Sequence, residues 1–140
     1  MPPAYVAPVL VYNRSHLDEV VALCSDVGWT DYAEDPERTH RVLTAPGVIS
    51  LVALDEDEAA LVGFVQLQGD GELQAHVSLL LVKPEYRLRG VARLLLGRAL
   101  RDSGCVRADV FVEGDDDAAA FYRRIPHKEG KGFRLQPFET

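Results

Sequence analysis

The hydrophobic pattern changes its period near the middle of the chain, and this change most restricts the possible folds. Before Pro84, the apolar-rich segment LQAHVSLLLV has the length and composition of a β-strand. After Gly90, apolar residues recur at helical spacing to about Ser103, and Gly104 is a suitable end for a helix. A strand that passes through a short link into an amphipathic helix predicts a βα unit, with a glycine where the helix begins.

The rest of the chain predicts a mixed α/β (α+β) fold with the element order β-α-α-β-β-β-α-β-α-β. Three consecutive strands joined by hairpins and followed by a helical crossover imply a mixed sheet. The predicted elements, in order, are the strand PVLVYN, a helix capped by Ser15 and ending near Val27, a helix from Pro36 to before Pro46, the strands VISLVAL and ALVGFVQLQ around the turn DEDEA, the strand and helix already described, the strand RADVFVE, the helix DDDAAAFYRR and a final strand GFRLQPF.

Length and composition predict one domain spanning residues 1–140, in a cytoplasmic setting. A net charge of -7 argues against a general nucleic-acid binder, and no apolar run is long enough to cross a membrane. The N-terminal segment lacks the features of a secretory signal. Cys24 and Cys105 stand alone, without the spacing of metal ligands, so we expect both to be small apolar core residues and propose no metal.

Basic residues crowd the segment from Val82 to Leu100, which includes this link and most of the helix, although the chain as a whole is acidic. Cations near a helix start are unfavourable because of the helix dipole. A helix N-terminus also presents free N–H groups, which together with arginines can hold a phosphorylated ligand. The acidic groups DEDE and DDD fall in predicted turns, where solvated charge is the simplest interpretation. The basic residues concerned are Lys83, Arg87, Arg89, Arg93 and Arg98.

The stretch RLRGVA, which is Arg87-x-x-Gly90-x-Ala92, resembles the acyl-CoA signature Q/R-x-x-G-x-G/A of the GNAT superfamily of N-acyltransferases. It follows an apolar strand and opens an amphipathic helix, as the signature does in that family. The later segment AAAFYRR…GKGFRL is similar to the family's C-terminal region. The matched parts cover roughly residues 75–135.

The resemblance implies a cleft for acetyl-CoA, the cosubstrate, between two strands that splay apart. The strand before the signature would bulge, and the backbones of Leu80 and Val82 would bind the pantetheine arm. Lys83 and Arg93 would contact the ribose phosphate. The residues implied to surround the pyrophosphate are Arg87, Leu88, Arg89, Gly90, Val91 and Ala92, with Arg93 beside them.

The resemblance also implies direct attack of an amine on the thioester, with no covalent enzyme intermediate. Tyr122 occupies the family position whose hydroxyl commonly protonates the departing thiolate. His76 occupies the position of a strand glutamate that acts as base in one branch, and an imidazole can accept a proton at neutral pH. Strand alternation predicts that His76, Ser78 and Leu80 share one face. Glu72 and water are the alternative bases.

Two regions are less informative. The family often has Asn where this chain has Asp115, and a carboxylate would repel phosphate, so Asp115 is left out of the site. Lys128 and Lys131 belong to a long late segment that we expect to be a solvated loop. On the acceptor side, cation-π and carboxylate contacts or ordinary surface packing would explain the residues of GWTDYAED equally well. These residues are Trp29, Asp31, Tyr32 and Glu34.

The function predicted from the sequence is N-acetyl transfer from acetyl-CoA to a primary amine of a small molecule or a protein. A catalytically weak acyl-CoA-binding regulatory module is the alternative, and a plain structural domain is a third interpretation that leaves the basic helix start unexplained. We expect no nucleic acid or membrane as partner. A homodimer is compatible with the resemblance, since many relatives are dimers.

Overall fold

A computed structural model describes residues 8–113 and 116–140, with the side chain of Asp116 outside the description. Contacts along the chain divide it into two compact units, Met1–Asp109 and Val110–Thr140, which are described separately. The predicted mixed α/β architecture is confirmed. The elements are β1 (Val9–Val11), α1 (Leu17–Asp26), α2 (Thr30–Ala33), α3 (Pro36–Leu43), β2 (Val48–Leu54), β3 (Leu61–Gly69), β4 (Gln74–Val82), α4 (Val91–Ser103), β5 (Arg107–Val110) and α5 (Asp116–Arg123).

The strands form one five-stranded sheet in the order β1-β2-β3-β4-β5. The first four strands are antiparallel neighbours in sequence order: three helices separate β1 from β2, whereas short loops join β2 to β3 and β3 to β4. The helix α4 separates β4 from β5 and makes the crossover that the sequence predicts. Helices α1 and α3 contact the sheet through β3 and β2, and α4 contacts β2, β3 and β4.

The main apolar core lies between the sheet and α1. It includes Val20 and Cys24 of α1, which are fully buried, and Phe64 of β3. Burial raises the pKa of the Cys24 thiol to about 11, so this cysteine is an inert core residue, as the sequence predicts. On α4, the buried stripe is Val91, Leu95, Leu96 and Ala99, which has the spacing of one helix face.

The start of the chain differs from the sequence prediction in its details. A short 3-10 turn precedes α1, and Asn13 rather than Ser15 caps it, because the Asn13 side chain accepts the N–H of Ser15 at 2.8 Å. The additional short helix α2 falls between the first two helices that the sequence predicts.

The predicted final strand, GFRLQPF, is not formed in the described residues after α5. Phe133, Leu135 and Phe138 are each about four-fifths exposed. Phe111, which directly follows β5, contacts the segment GFRLQPF through its side chain, since the guanidinium of Arg134 lies 4.8 Å from the Phe111 ring centroid. An apolar alternation produces a strand only where a partner strand offers backbone hydrogen bonds.

Candidate cofactor-binding site

A β-bulge divides β4 into two halves. Gln66 of β3 pairs with Leu79, but the next residue, Leu67, pairs with Val77, so Ser78 is an extra residue on β4. This confirms the bulge that the family resemblance implies in this strand. An extra residue shifts the alternation by one position. Residues beyond it therefore point to the face opposite the one that regular alternation predicts.

The bulge overturns the expectation that His76, Ser78 and Leu80 share one face. His76 pairs with Gln68, whose side chain lies on the sheet face shared with Gln66, whereas Leu80 pairs with Val65 on the opposite face. Simple alternation fails because it counts every residue of β4 and takes no account of the bulge. His76 is exposed, and next to it the Gln68 amide donates a hydrogen bond of 2.5 Å to the Ser78 hydroxyl.

The C-terminal half of β4 leaves backbone groups facing away from β3. The N–H of Lys83 donates to the carbonyl of Val62 at 2.8 Å, so alternation in an antiparallel ladder directs Leu81 toward β3 and directs Val82 and Leu80 toward the other edge. This is the backbone orientation that binding of a pantetheine arm by Leu80 and Val82 requires.

The neighbouring strand joins β4 at its opposite end. The N–H groups of Val106 and Arg107 both donate to the carbonyl of Leu73, at 2.9 and 3.1 Å, and Leu73 directly precedes β4. These bonds therefore lie at the N-terminal end of β4, far along the strand from Leu80 and Val82. This arrangement agrees with the predicted splaying of the strand pair.

The link between β4 and α4 adopts two left-handed backbone conformations. Leu88 has φ +62° with its side chain 81% exposed, and Gly90 has φ +88°. For an L-residue such as Leu88 this conformation costs roughly 1–2 kcal/mol. Gly90 adopts it freely, because glycine has no Cβ. The strained link turns the chain so that α4 begins immediately after Gly90.

Within the described residues, no side-chain hydrogen bond caps the N-terminus of α4. Gly90 offers no side-chain acceptor, and the first turn of the helix carries no acidic residue. The first N–H groups of a helix have no intrahelical partner, so they remain available to an anion. An open groove of about 500 Å³ runs from this point along α4, lined by Arg89, Gly90, Arg93, Gly97, Arg98 and Arg101.

The three arginines of the signature region differ in their surroundings. Arg87 and Arg93 are exposed, and the Arg87 guanidinium is 3.5 Å from the carbonyl of Val82. Arg89 forms an ion pair with Glu56, and only 14% of its side chain is exposed. The DEDE turn, expected to be solvated, therefore supplies one carboxylate to the signature loop.

Glu56 is a residue near the site that the sequence reasoning missed. Its pKa is lowered by a hydrogen bond from its own backbone N–H and by the bond from Arg89. Tyr86 contacts both members of this ion pair. The Arg89 guanidinium lies 4.7 Å from the centroid of the Tyr86 ring, and the Tyr86 hydroxyl lies 3.4 Å from the Glu56 carboxylate. The hairpin pattern is the sequence signal that could have located Glu56. It pairs the start of β3 with the end of β4, which brings the turn before β3 close to the link after β4.

The residues considered for the acceptor side have structural contacts of their own. Trp29 and Tyr32 pack against the main core, with ring centroids 6.3 Å apart, whereas Asp31 and Glu34 are exposed. Packing therefore accounts for the two aromatic residues. A second cavity of about 490 Å³ lies between the end of α1 and the link before α4, lined by Leu23, Asp26, Val27, Lys83, Glu85 and Arg87.

The second candidate base, Glu72, lies in the turn between β3 and β4. Its N–H donates to the Asp70 carboxylate at 2.8 Å, which is a common arrangement in turns, and its side chain is exposed.

In the C-terminal unit, Tyr122 lies on α5, with its ring 5.0 Å from that of Phe121 in an edge-to-face arrangement. Burial raises the pKa of Tyr122 to about 12, so its hydroxyl is protonated at neutral pH. Lys128 and Lys131 are exposed, as predicted for a solvated loop. Asp115 lies outside the described residues.

Solved structures of acetyltransferases share this fold. A GNAT family acetyltransferase from Streptococcus pneumoniae is 25% identical, with a TM-score of 0.76, 96% of this chain and 100% of that chain covered. The ribosomal-protein-alanine N-acetyltransferase of Brucella melitensis is 17% identical, with a TM-score of 0.75 and coverage of 96% and 100%. The aminoglycoside N-acetyltransferase AAC(6')-Iy, solved with CoA, is 17% identical, with a TM-score of 0.73 and coverage of 95% and 100%.

A comparison with curated protein sequences gave no significant match. The sequence model described as the acetyltransferase (GNAT) family, in contrast, matches residues 15–125, which include the bulged strand, the signature link and α5. This match covers most of the chain and agrees with the fold and with the local geometry at the start of α4. The protein therefore belongs to the GNAT family of acetyltransferases.

Proposed function

We propose that the protein transfers an acetyl group from acetyl-CoA to a primary amine. The observation that carries this proposal is the start of α4, where an uncapped helix N-terminus follows a strained, arginine-rich link. Diphosphate groups bind such a terminus through its N–H groups. The exposed Arg87 and Arg93 would add charge-assisted hydrogen bonds, and the backbones of Leu80 and Val82 would bind the pantetheine arm.

The reaction itself needs little covalent chemistry from the protein. A neutral amine attacks the thioester carbonyl, a C–N bond forms, the C–S bond breaks, and CoA leaves as a thiolate that takes up a proton. We assign proton donation to Tyr122, which burial keeps protonated at neutral pH. We assign removal of the amine proton to His76 on its family position alone, since the bulge places it on the face of β4 opposite Leu80, with Glu72 and water as the alternatives.

The acceptor is proposed only as a class, an amine on a small molecule or on a protein. Two proteins of similar structure are named for amine-bearing substrates, aminoglycosides in one and a ribosomal protein in the other. In this chain, the cavity beside the end of α1 is lined by the carboxylates of Asp26 and Glu85, the cations of Lys83 and Arg87, and the apolar side chains of Leu23 and Val27. The two acids and two bases balance, so this lining favours neither a cationic nor an anionic acceptor.

Calorimetric titration with acetyl-CoA, on the parent and on Gly90→Glu, tests the cofactor site. A carboxylate at the helix start should repel the phosphates, and we expect binding to fall by roughly a hundredfold or more. Gly71→Glu is the matched control, because Gly71 also has a left-handed backbone, with φ +80°, and equally open space around it. Binding by the parent and by Gly71→Glu, together with loss in Gly90→Glu, supports the proposal. A well-folded parent that does not bind acetyl-CoA contradicts it.

Thiol release in the presence of an amine library tests the proton transfers. Tyr122→Phe should lower turnover at least tenfold while leaving acetyl-CoA affinity unchanged, because one positioned acid typically contributes roughly 10²–10⁴-fold. His76→Gln should remove the rise in rate between about pH 6 and 8. Unchanged turnover excludes Tyr122 as the acid, and a retained pH profile excludes His76 as the base. Tight binding of acetyl-CoA with no release for any amine would favour the regulatory module.

A further inference from the structure

The ion pair between Glu56 and Arg89 joins two loops that are far apart in sequence. Glu56 belongs to the turn between β2 and β3, and Arg89 to the link before α4. The two loops meet because the start of β3 pairs with the end of β4, where Gly63 lies opposite Val82. The contact therefore follows from the sheet register and places an acid beside the proposed phosphate site.

The turn that carries Glu56 is held by its own hydrogen bonds. The N–H of Asp55 donates to the carbonyl of Ala60 at 2.8 Å, and the Asp55 carboxylate accepts the N–H of Ala59 at 2.8 Å. A third bond of 2.9 Å runs from the N–H of Glu58 to the carbonyl of Asp55. These bonds fix the turn, so the backbone of Glu56 is held in place. A residue that positions another needs such support.

Arg89 is held on two sides. Glu56 takes its guanidinium in an ion pair, and the Tyr86 ring lies under the same group with a separation of 4.7 Å. Arg89 also stands between Leu88 and Gly90, the two residues of the link with left-handed backbones. Fixing the Arg89 side chain therefore fixes the only residue between two unusual backbone conformations, one of which is strained.

We propose that Glu56 is a positioning residue for acetyl-CoA: acting through Arg89, it holds the link at 87–90 in the conformation that presents the α4 N–H groups to the phosphates. This inference rests on the proposed function. It assigns different roles to the arginines, since Arg89 shapes the loop while Arg87 and Arg93 supply the positive charge that the phosphates meet.

The direction in which Glu56→Gln changes the affinity for acetyl-CoA separates this proposal from a purely electrostatic effect. An acid near a phosphate site repels the ligand, so charge alone predicts that Glu56→Gln binds acetyl-CoA more tightly. Positioning predicts the opposite, a rise in Kd and KM of roughly three- to tenfold with kcat nearly unchanged. Glu58→Gln is the matched control, because it removes the same charge from the same turn at an exposed residue. It should bind acetyl-CoA as tightly as the parent or slightly more tightly.

A double-mutant cycle tests whether Glu56 acts through Arg89. In the Arg89→Gln background, Glu56→Gln should cause no further loss of affinity, because the partner of the carboxylate is already gone. Equal thermal unfolding midpoints for all variants establish that the losses are not unfolding. Unchanged or tighter binding by Glu56→Gln overturns the inference, and so does a full additional loss in the Arg89→Gln background. A parent that binds no acetyl-CoA overturns the proposed function as well, whereas a parent and Glu56→Gln that bind equally overturn the inference alone.

Discussion

The helices α3 and α4 begin in opposite ways, although both lie in the same N-terminal unit. At the start of α3, the Asp35 carboxylate accepts the N–H of Arg38 at 3.1 Å, Pro36 occupies the first position, and Glu37 follows. At the start of α4, Gly90 provides no acceptor and no acidic residue follows in the first turn.

The difference shows which helix terminus is satisfied within the chain. The α3 terminus has a cap and an acid that complement the helix dipole, so nothing further is needed there. The α4 terminus has neither. Both helices carry an arginine at the third position, where a cation opposes the dipole, but only in α3 do a cap and an acid offset it. An external anion would supply the missing cap of α4, which agrees with the proposed phosphate site.

Among the tests of this comparison between α3 and α4, the largest effect is expected for arginines at equivalent positions of the two helices. Arg38 and Arg93 are each the third residue of their helix, and both are exposed. Arg93→Gln should weaken acetyl-CoA binding by roughly three- to tenfold, with a smaller loss at high salt, because an exposed charge pair is screened. Titrations at low and high ionic strength provide the measurement.

Arg38→Gln is the control for Arg93→Gln. Both substitutions remove a cation from the first turn of a helix, so both should leave the ligand-free protein as stable as the parent or slightly more stable. Only Arg93→Gln should change binding. An equal loss of affinity in the two variants would show that Arg93 acts through the net charge of the protein rather than through the site.

The capped terminus predicts a change in stability without a change in binding. Asp35→Ala removes the cap of α3 and should lower the free energy of unfolding by about 1 kcal/mol. Asp35→Asn keeps an acceptor and should lose much less. Denaturant unfolding gives the stability and calorimetry the affinity. A loss of acetyl-CoA binding in Asp35→Ala would contradict the assignment of this terminus to stability alone.

The smallest expected effect concerns pH. Hydrogen bonding to Arg14 lowers the pKa of Glu37, with contacts of 2.7 and 2.8 Å between the guanidinium and the carboxylate. Because the pKa in the folded state is depressed, the contribution of the pair is present above the ordinary pKa of 4.5 and is lost as the pH falls through the lower folded value.

Thermal unfolding of Glu37→Gln across this range tests the pH prediction. The variant should be slightly less stable than the parent at neutral pH and equal to it in strong acid. The difference should be small, since the pair is exposed and screened by solvent. A difference that stays constant down to strong acid would show that the ion pair is not its source.

Local pattern was enough to predict most elements and the start of the site. The amphipathic spacing after Gly90 predicted α4, and Pro36 predicted the beginning of α3. The acyl-CoA signature indicated the family because its glycine and arginines occupy a fixed place between a strand and a helix. Each of these features depends on neighbours within a few residues, so sequence alone carries it.

Features that depend on distant pairing were beyond the sequence. The resemblance implied a bulge in β4 but not its position, because Ser78 looks no different from any other strand serine, so the faces of His76 and Leu80 were assigned wrongly. The pairing of Glu56 with Arg89 requires two loops to meet across the sheet. The segment GFRLQPF could form the predicted final strand only with a partner strand, and its own sequence does not reveal whether one is present. The roles of Tyr122 and His76 in catalysis remain predictions.

The bulge on β4 also determines which genetic changes this strand can tolerate. Substitution of Ser78 alters one half-exposed side chain, but deletion of this residue would restore a regular register. Because Val77 already pairs with Leu67 and Leu79 with Gln66, every remaining side chain would keep its present face, and Ala75 and Val77 would stay buried. Gain or loss of a residue elsewhere in β4 would instead reverse the faces of part of the strand and bring buried side chains into water. In a lineage of such proteins, a change in the length of this strand should therefore occur at residue 78 rather than at its neighbours.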